Sequence, residues 1–281
     1  MSNISLTASM RSNLLSLQNT SKLMSQTQER LATGKKVNSA IDNPSSYYTA
    51  QALNNRASDL GALLDSMGQA ISTIKAADEG ISAITSFVEQ AKAVAASAAD
   101  TTDADARADY AAQFNAIRAQ IDSLANDSGY KGVNLLKGDS LKVTFNEGRD
   151  SQLVIEGVTA TSGGLSIGEA KVTGDATENW KEAGATGETG AITKAIKAAS
   201  DAIETLRSYA SKFGNNYSIV QTREEFTTNL INVLEEGADK LTLADMNEES
   251  ANMLALQTRQ QLAINSLSLA SQAAQSVLRL F

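Results

Sequence analysis

From Leu241 to Phe281 the chain has no proline, and glycine is absent too. Along this run Leu256, Gln260, Ala263, Leu267, Ala270, Ala274, Val277 and Phe281 recur at alternating steps of three and four. That spacing lays them on one stripe of a helix, the seam a coiled coil requires. At ~1.5 Å per residue such a helix extends about 60 Å, far more surface than it can cover alone. The stripe mixes Leu, Ala, Val and Phe with the polar Gln260, so it is too weakly apolar to drive a compact core. Such a helix needs a partner.

The opposite end of the chain offers one. Met10, Leu14, Leu17, Ser21, Met24, Gln28 and Leu31 repeat the same rhythm between polar residues. Pairing residues 1–32 with 241–281 would cover two weak seams at once. Both lie at chain ends, where unaided segments fray.

The interior is also written for helices. Leu53, Ala57, Leu60, Leu64, Met67, Ile71, Ile74, Asp78, Ile81, Thr85 and Val88 hold the rhythm for about ten turns, beyond the ordinary globular range. Ile84 and Phe87 broaden the stripe, as a heptad insertion would. Thr102 and Asp105 form a capping-box pattern that opens a return helix through Tyr110, Phe114, Ile117, Ile121 and Leu124. Ile192, Ile196, Ala199, Ile203, Leu206, Ala210 and Phe213 make another helical stripe. Gly214-Asn215-Asn216 is expected to stop it before Ile219, Arg223, Phe226, Leu230 and Val233 resume, with a second break expected at Gly237.

Twelve of the 18 glycines fall between residues 129 and 190, where the composition changes. Leu141–Phe145 and Leu153–Val158 there read as two strands around the turn-rich Asn146–Asp150. Trp180 stands in a stretch without period. The expected architecture is mainly α: a bundle of three to four long helices with a β element at its tip.

Chemistry is narrowed by what is missing. The 281 residues include no Cys and no His, which removes disulfides, thiolate nucleophiles and the commonest general base and metal ligand. No enzyme activity, cofactor or metal site is expected. Asp100, Asp103, Asp105 and Asp109 lack the central Gly and twelfth-position Glu of an EF-hand; acidic residues at a helix start follow from the helix dipole. Arg223-Glu224-Glu225 and Glu235-Glu236 are adjacent pairs that diverge on a helix and read as solvated charge. Gly163-Gly164 is a turn, because no Lys-Ser/Thr pair follows to make a phosphate loop. A net charge of −8 argues against nucleic acid as a partner. No 18-residue apolar run offers a membrane span, and Met1–Asn19 lacks the pattern of a cleaved signal peptide.

The only proline, Pro44, stands in Thr33-Gly34-Lys35-Lys36-Val37-Asn38-Ser39-Ala40-Ile41-Asp42-Asn43-Pro44. Gly34 is expected to end the first helix, and Asp42 or Asn43 to cap the next with Pro44 in its first turn. Here the chain resembles bacterial flagellins. Leu31-Ala32-Thr33-Gly34, Asn38-Ser39-Ala40, Asp42-Asn43 and Asn55-Arg56 are similar, in order and spacing, to the amino-terminal signature of that family. Asn252-Met253, Gln257, Gln260-Gln261, Asn265, Ala270, Gln275, Val277-Leu278 and Phe281 resemble its carboxy-terminal one. The middle of the chain is unmatched.

The resemblance implies a long antiparallel helical bundle and coiled-coil rod formed by both chain ends, with a small β-containing domain inserted in the middle. Residues 1–43 and 241–281 would be the two halves of the terminal coiled coil, and 44–138 and 191–240 the halves of the rod. Residues 139–190 would be a small, variable, β-rich outer domain. The implied function is structural: a subunit that polymerises into the helical flagellar filament, its terminal helices ordering on assembly. The implied partners are further copies of itself, sister flagellins, the export apparatus, a carboxy-terminal-binding export chaperone, and the cap and hook-associated proteins. The implied location is the extracellular filament, reached without a cleaved signal peptide. Some relatives carry a zinc protease in the middle segment, which a chain without His cannot form. The family's innate-receptor surface maps to Val88–Val94, where many receptor-active members have Arg in place of Gln90 and Glu-Leu in place of Ala93-Val94. Weak or absent receptor stimulation is therefore expected.

Three other readings compete. A hook–filament junction protein shares these termini but departs more from the Asn38-Ser39-Ala40 and Asn55-Arg56 signatures. A membrane-active secretion protein would need more Lys and Arg on its final helix. An enzyme would need carboxylates in a pocket-forming context that no segment supplies.

Overall fold

The structure, a computed structural model, describes residues 8–174, 178–187 and 190–278. Its helices are α1 (Ala8–Thr33), α2 (Pro44–Asp100), α3 (Ala104–Asp127), α4 (Ala191–Thr242) and α5 (Met246–Leu278), with strands β1 (Ser140–Thr144) and β2 (Gln152–Glu156). The fold is mainly α with one small antiparallel sheet. Two units form by contact: residues 1–57 with 232–281, and residues 58–231. Both boundaries fall inside long helices, α2 and α4.

In the larger unit one core joins α2, α3, α4 and the sheet. On α2, Ile74, Ala77, Ile81, Ile84, Val88, Ala91, Ala95 and Ala98 are buried. The expected Asp78 is exposed instead. Met67, Ala70, Ile74, Ala77, Ile81 and Ile84 are buried at alternating steps of three and four, so the repeat passes through Ile84 without the expected heptad insertion. Gly80 has a packing reason: a Cβ there would lie 2.4 Å from Ser128 Oγ and 2.7 Å from Leu136 Cδ1. Phe114 and Ile121 of α3 and Ile192, Leu206, Phe213 and Val220 of α4 complete the helical part of the core.

The cap of α3 differs from the expected pattern. Asp103, not Thr102, is the N-cap, and its carboxylate accepts from the Asp105 N–H at 3.0 Å. Asp105 itself faces Lys181, whose Nζ donates to it at 2.9 Å. That contact holds the Asp105 carboxyl below the usual carboxylate range and raises the lysine. Asp103 and Asp105 of the acidic cluster thus have structural roles.

Neither expected stop occurs: α4 runs unbroken through Gly214 and Gly237. A helical glycine costs about 1 kcal/mol relative to Ala. Phe213 and Val220, both fully buried, anchor the helix on either side of Gly214, and that burial outweighs the local penalty.

The described apolar residues that are buried between 129 and 190 belong to the shared core. β1 and β2 pair with Leu141 opposite Ile155 and Val143 opposite Leu153, burying Val143 and Ile155 on the side of the shared core. Their turn is closed by Phe145 N–H donating to Ser151 O at 2.9 Å, with Asn146 bonded to Asp150. Trp180, unplaced by periodicity, is the largest fully buried side chain among the described residues, its ring 5.2 Å from that of Phe114. The described stretches Ser162–Gly174 and Glu178–Glu182 run beside α3. Asp122 accepts from Ser162 N–H and Oγ–H at 2.7 and 2.8 Å, and Arg118 Nε donates to Ile167 O at 3.0 Å. Asn115 exchanges two bonds with Ala170, and the buried Arg107 donates to Glu182 O at 3.0 Å. Backbone without a ladder is satisfied by helix side chains instead.

Candidate assembly surface on the terminal helix pair

In the smaller unit α1 and α5 lie against each other, with Arg30 bonded to Glu249 and with Leu23, Thr27, Leu256 and Arg259 lining one groove between them. On α5 the inward stripe is Glu249, Met253, Leu256, Gln260, Ala263, Leu267 and Ala270. Five of the sequence-derived seam residues therefore line the pair. Ala274 and Val277 fall on α5, but their side chains, like Phe281, lie outside the described residues.

On α1 the inward stripe is Met10, Asn13, Leu17, Thr20, Met24, Thr27 and Leu31. Met10, Leu17, Met24 and Leu31 are as expected. The alternate positions are not: Leu14, Ser21 and Gln28 are exposed, and the residue one step earlier turns inward each time. Thr20 Oγ1 donates to Ser16 O at 2.9 Å, so the hydroxyl of a buried threonine is satisfied within its own helix. Both phases fit a three-four rhythm, and the apolar Leu14 makes the wrong one look better.

A polar contact fixes the register. Arg30 Nη1 donates to Glu249 Oε1 at 2.7 Å, with the glutamate side chain 9% exposed and the arginine 33%. Glu249 also stands in the first turn of α5, where the helix dipole favours an anion. Asp245 caps that turn through Asn247 N–H at 2.9 Å. Sequence reading passed over this pair; its one signal is an acid at a seam position in a first turn.

The two connectors are bonded to each other as well. Lys36 and Val37 N–H groups donate to Thr242 O at 2.8 and 3.2 Å, and Ala244 N–H donates to Gly34 O at 2.9 Å. Gly34 takes φ +70°, the left-handed turn that ends α1. Val37 is buried beside this junction.

The signature residues shape the loop that follows. Asp42 accepts from Asn38 N–H at 3.1 Å, Ser39 N–H at 3.0 Å and Ser39 Oγ–H at 3.2 Å. The backbone bond from Ser39, then that from Asn38, holds its carboxyl below the usual carboxylate range. Asn43 caps α2 through Ser46 N–H at 3.1 Å, with Pro44 at the first helical position. Ala40 is half-buried in this loop, and Asn55 and Arg56 are exposed on α2. Gln90 and Ala93 are exposed on α2, and Val94 packs partly against the core.

Two family models match: the bacterial flagellin N-terminal helical region over residues 4–140 and the bacterial flagellin C-terminal helical region over residues 196–281. Together they cover most of the chain. It belongs to the bacterial flagellin family. Among curated relatives, flagellin FljM of Caulobacter vibrioides is 31% identical over 279 residues, 95% of each chain. A flagellin of Brucella melitensis is 29% identical over 273 residues, again 95% of each. One of Listeria monocytogenes is 23% identical over 262 residues, covering 92% of this chain and 91% of its own. The family is structural, which agrees with a surface built from helix seams. In this flagellin the two matched regions contain both helices of the terminal pair and both connectors.

Proposed function

We propose that this chain is the structural subunit of an extracellular bacterial flagellar filament, polymerising through its terminal helix pair. One observation carries the reading. With α1 and α5 already paired, Leu15, Leu23, Leu254, Leu262, Ile264 and Leu269 are still exposed along the outer sides of the pair. A monomer has no use for such a display, whereas neighbouring copies can bury it. Polar seam positions such as Thr20, Thr27 and Gln260 weaken the pair but set its register. Long helices with weak seams recover their ordering entropy only when neighbours add contacts, so folding of the ends is coupled to assembly. A heterologous contact that does not close then propagates as an open helix.

The reading extends to the partners the family implies: sister flagellins, the export apparatus, a chaperone that holds α5 before export, and the cap and hook-associated proteins. Under it, residues 1–43 and 241–281 serve as the polymerising ends, 44–138 and 191–240 as the spacer, and 139–190 as the outward segment. Export proceeds without cleavage of the amino terminus.

The test is negative-stain microscopy and sedimentation of purified full-length protein beside a chain ending before Val277. Filaments are expected from the intact chain only. Equal filament yield from the shortened chain would refute a role for the terminal seam.

A further inference from the structure

α4 keeps a glycine in its interior at Gly214, where nothing in the fold asks for one. Its φ is not positive, and a Cβ there would meet no atom within 4 Å. A glycine there costs helix stability against alanine. Gly214 lines an open pit of about 210 Å³ together with Ile74, Phe213 and Tyr217. Lys75 and Asp78 stand at its rim, and Lys75 Nζ lies 5.6 Å from the centre of the Tyr217 ring. The floor is apolar and the rim carries one charge of each sign.

The complementary shape is elsewhere on the chain. Ile41 is 93% exposed, the highest value among the described large apolar residues. It stands at the tip of the Asn38–Asn43 loop, which the three bonds to Asp42 hold in one conformation. A β-branched side chain on a pinned loop is a rigid knob, so seating it costs little further entropy. Charges flank it in the matching sense: Asp42 follows it, able to face Lys75, and Lys35 and Lys36 precede it, able to face Asp78.

We infer that Ile41 of one copy seats in the Gly214 pit of a second copy of this chain, forming a heterologous contact between subunits. The inference rests on the self-assembly proposed above and names one of its interfaces. One copy supplies the knob and the next the socket, and a heterologous contact of this kind, repeated without closing, runs on from copy to copy.

The absence of cysteine gives a direct test. Full-length I41C/K75C protein is assembled, oxidised with copper phenanthroline and run on a non-reducing gel beside I41C and K75C alone. A ladder of covalent oligomers is expected from the assembled double variant, and not from either single variant or from unassembled protein. Filaments of the double variant without a ladder would overturn the inference and leave self-assembly standing. Failure of the unsubstituted chain to form filaments would overturn both. In parallel, Gly214→Leu fills the pit while improving helix propensity. Its circular dichroism and melting temperature should hold, while the critical concentration for assembly rises at least tenfold. An unchanged critical concentration would also overturn the inference.

Discussion

Replacing Glu249 by Ala tests how the terminal pair is held. The carboxylate is buried to all but 9% and accepts a 2.7 Å bond from a guanidinium that is one-third exposed. Removing one partner of a fully buried ion pair costs about 3–5 kcal/mol, whereas exposed pairs are worth about 0–1 kcal/mol. Solvent reaches Arg30, so the bond belongs between these limits, near the ~1.5–3 kcal/mol of hydrogen bonds to charged groups. We take about 2 kcal/mol, which corresponds to roughly a 30-fold change in the pairing equilibrium. Native-state hydrogen exchange on assembled protein, in which the pair is ordered, reads this directly. Glu249→Ala should lower protection of α1 and α5 amides about 30-fold and leave the core amides around Phe114 and Leu206 unchanged. Arg30→Ala should do nearly the same, and the double variant should be little worse than either alone. A loss below threefold, or equal losses in both units, would refute the reasoning that this bond sets the pair.

Asp42→Asn should loosen the Asn38–Asn43 loop, seen as faster exchange at Asn38 and Ser39. Because the folded Asp42 carboxyl is depressed by the Ser39 and Asn38 N–H groups, its contribution is fully present above the unfolded carboxylate pKa. It is lost as pH falls through the folded value, so an NMR titration should place the Asp42 midpoint below that of a free aspartate. Phe114→Ala removes a fully buried ring against Trp180 and should cost about 3–5 kcal/mol in urea unfolding. It should also shift the emission of the single tryptophan to the red. In an innate-receptor reporter assay this flagellin should stimulate weakly or not at all, because Gln90, Ala93 and Val94 depart from the receptor-active pattern. A full-strength response would remove that expectation.

The helices were legible because three-four periodicity is a direct print of burial. Ile74, Ile81, Val88, Phe114, Ile121, Ile192, Leu206 and Phe213 were all placed by it. It misled where two phases fit equally well: Leu14 is the more apolar choice, but Asn13 faces α5, since α5 fixes the phase and not α1 alone. Gly214 misled because turn propensity is local, whereas Phe213 and Val220 commit the helix through distant partners. Thr102 gave way to Asp103 by a single residue, a step that only backbone geometry decides. Trp180 had no signal, since its burial comes from the irregular run beside α3. Asn115, Arg118 and Asp122, which hold that run, are polar residues on a polar face and look like solvated positions until the strand-less backbone opposite them is known. The same blindness hid Arg30 and Glu249, which lie 219 residues apart.

The β1–β2 turn has a consequence for cargo. Its ends are fixed by Phe145 N–H to Ser151 O and by the ladder beneath, while Glu147, Gly148 and Arg149 face solvent. Loop-closure entropy rises by only about 0.6 kcal/mol for each doubling of length, and the buried sides of Val143 and Ile155 do not depend on what the turn contains. A peptide grafted between Gly148 and Arg149 would therefore be tolerated by the core. In a polymer it would be repeated once per subunit at fixed spacing, a multivalent array whose avidity is set by the lattice and not by the graft.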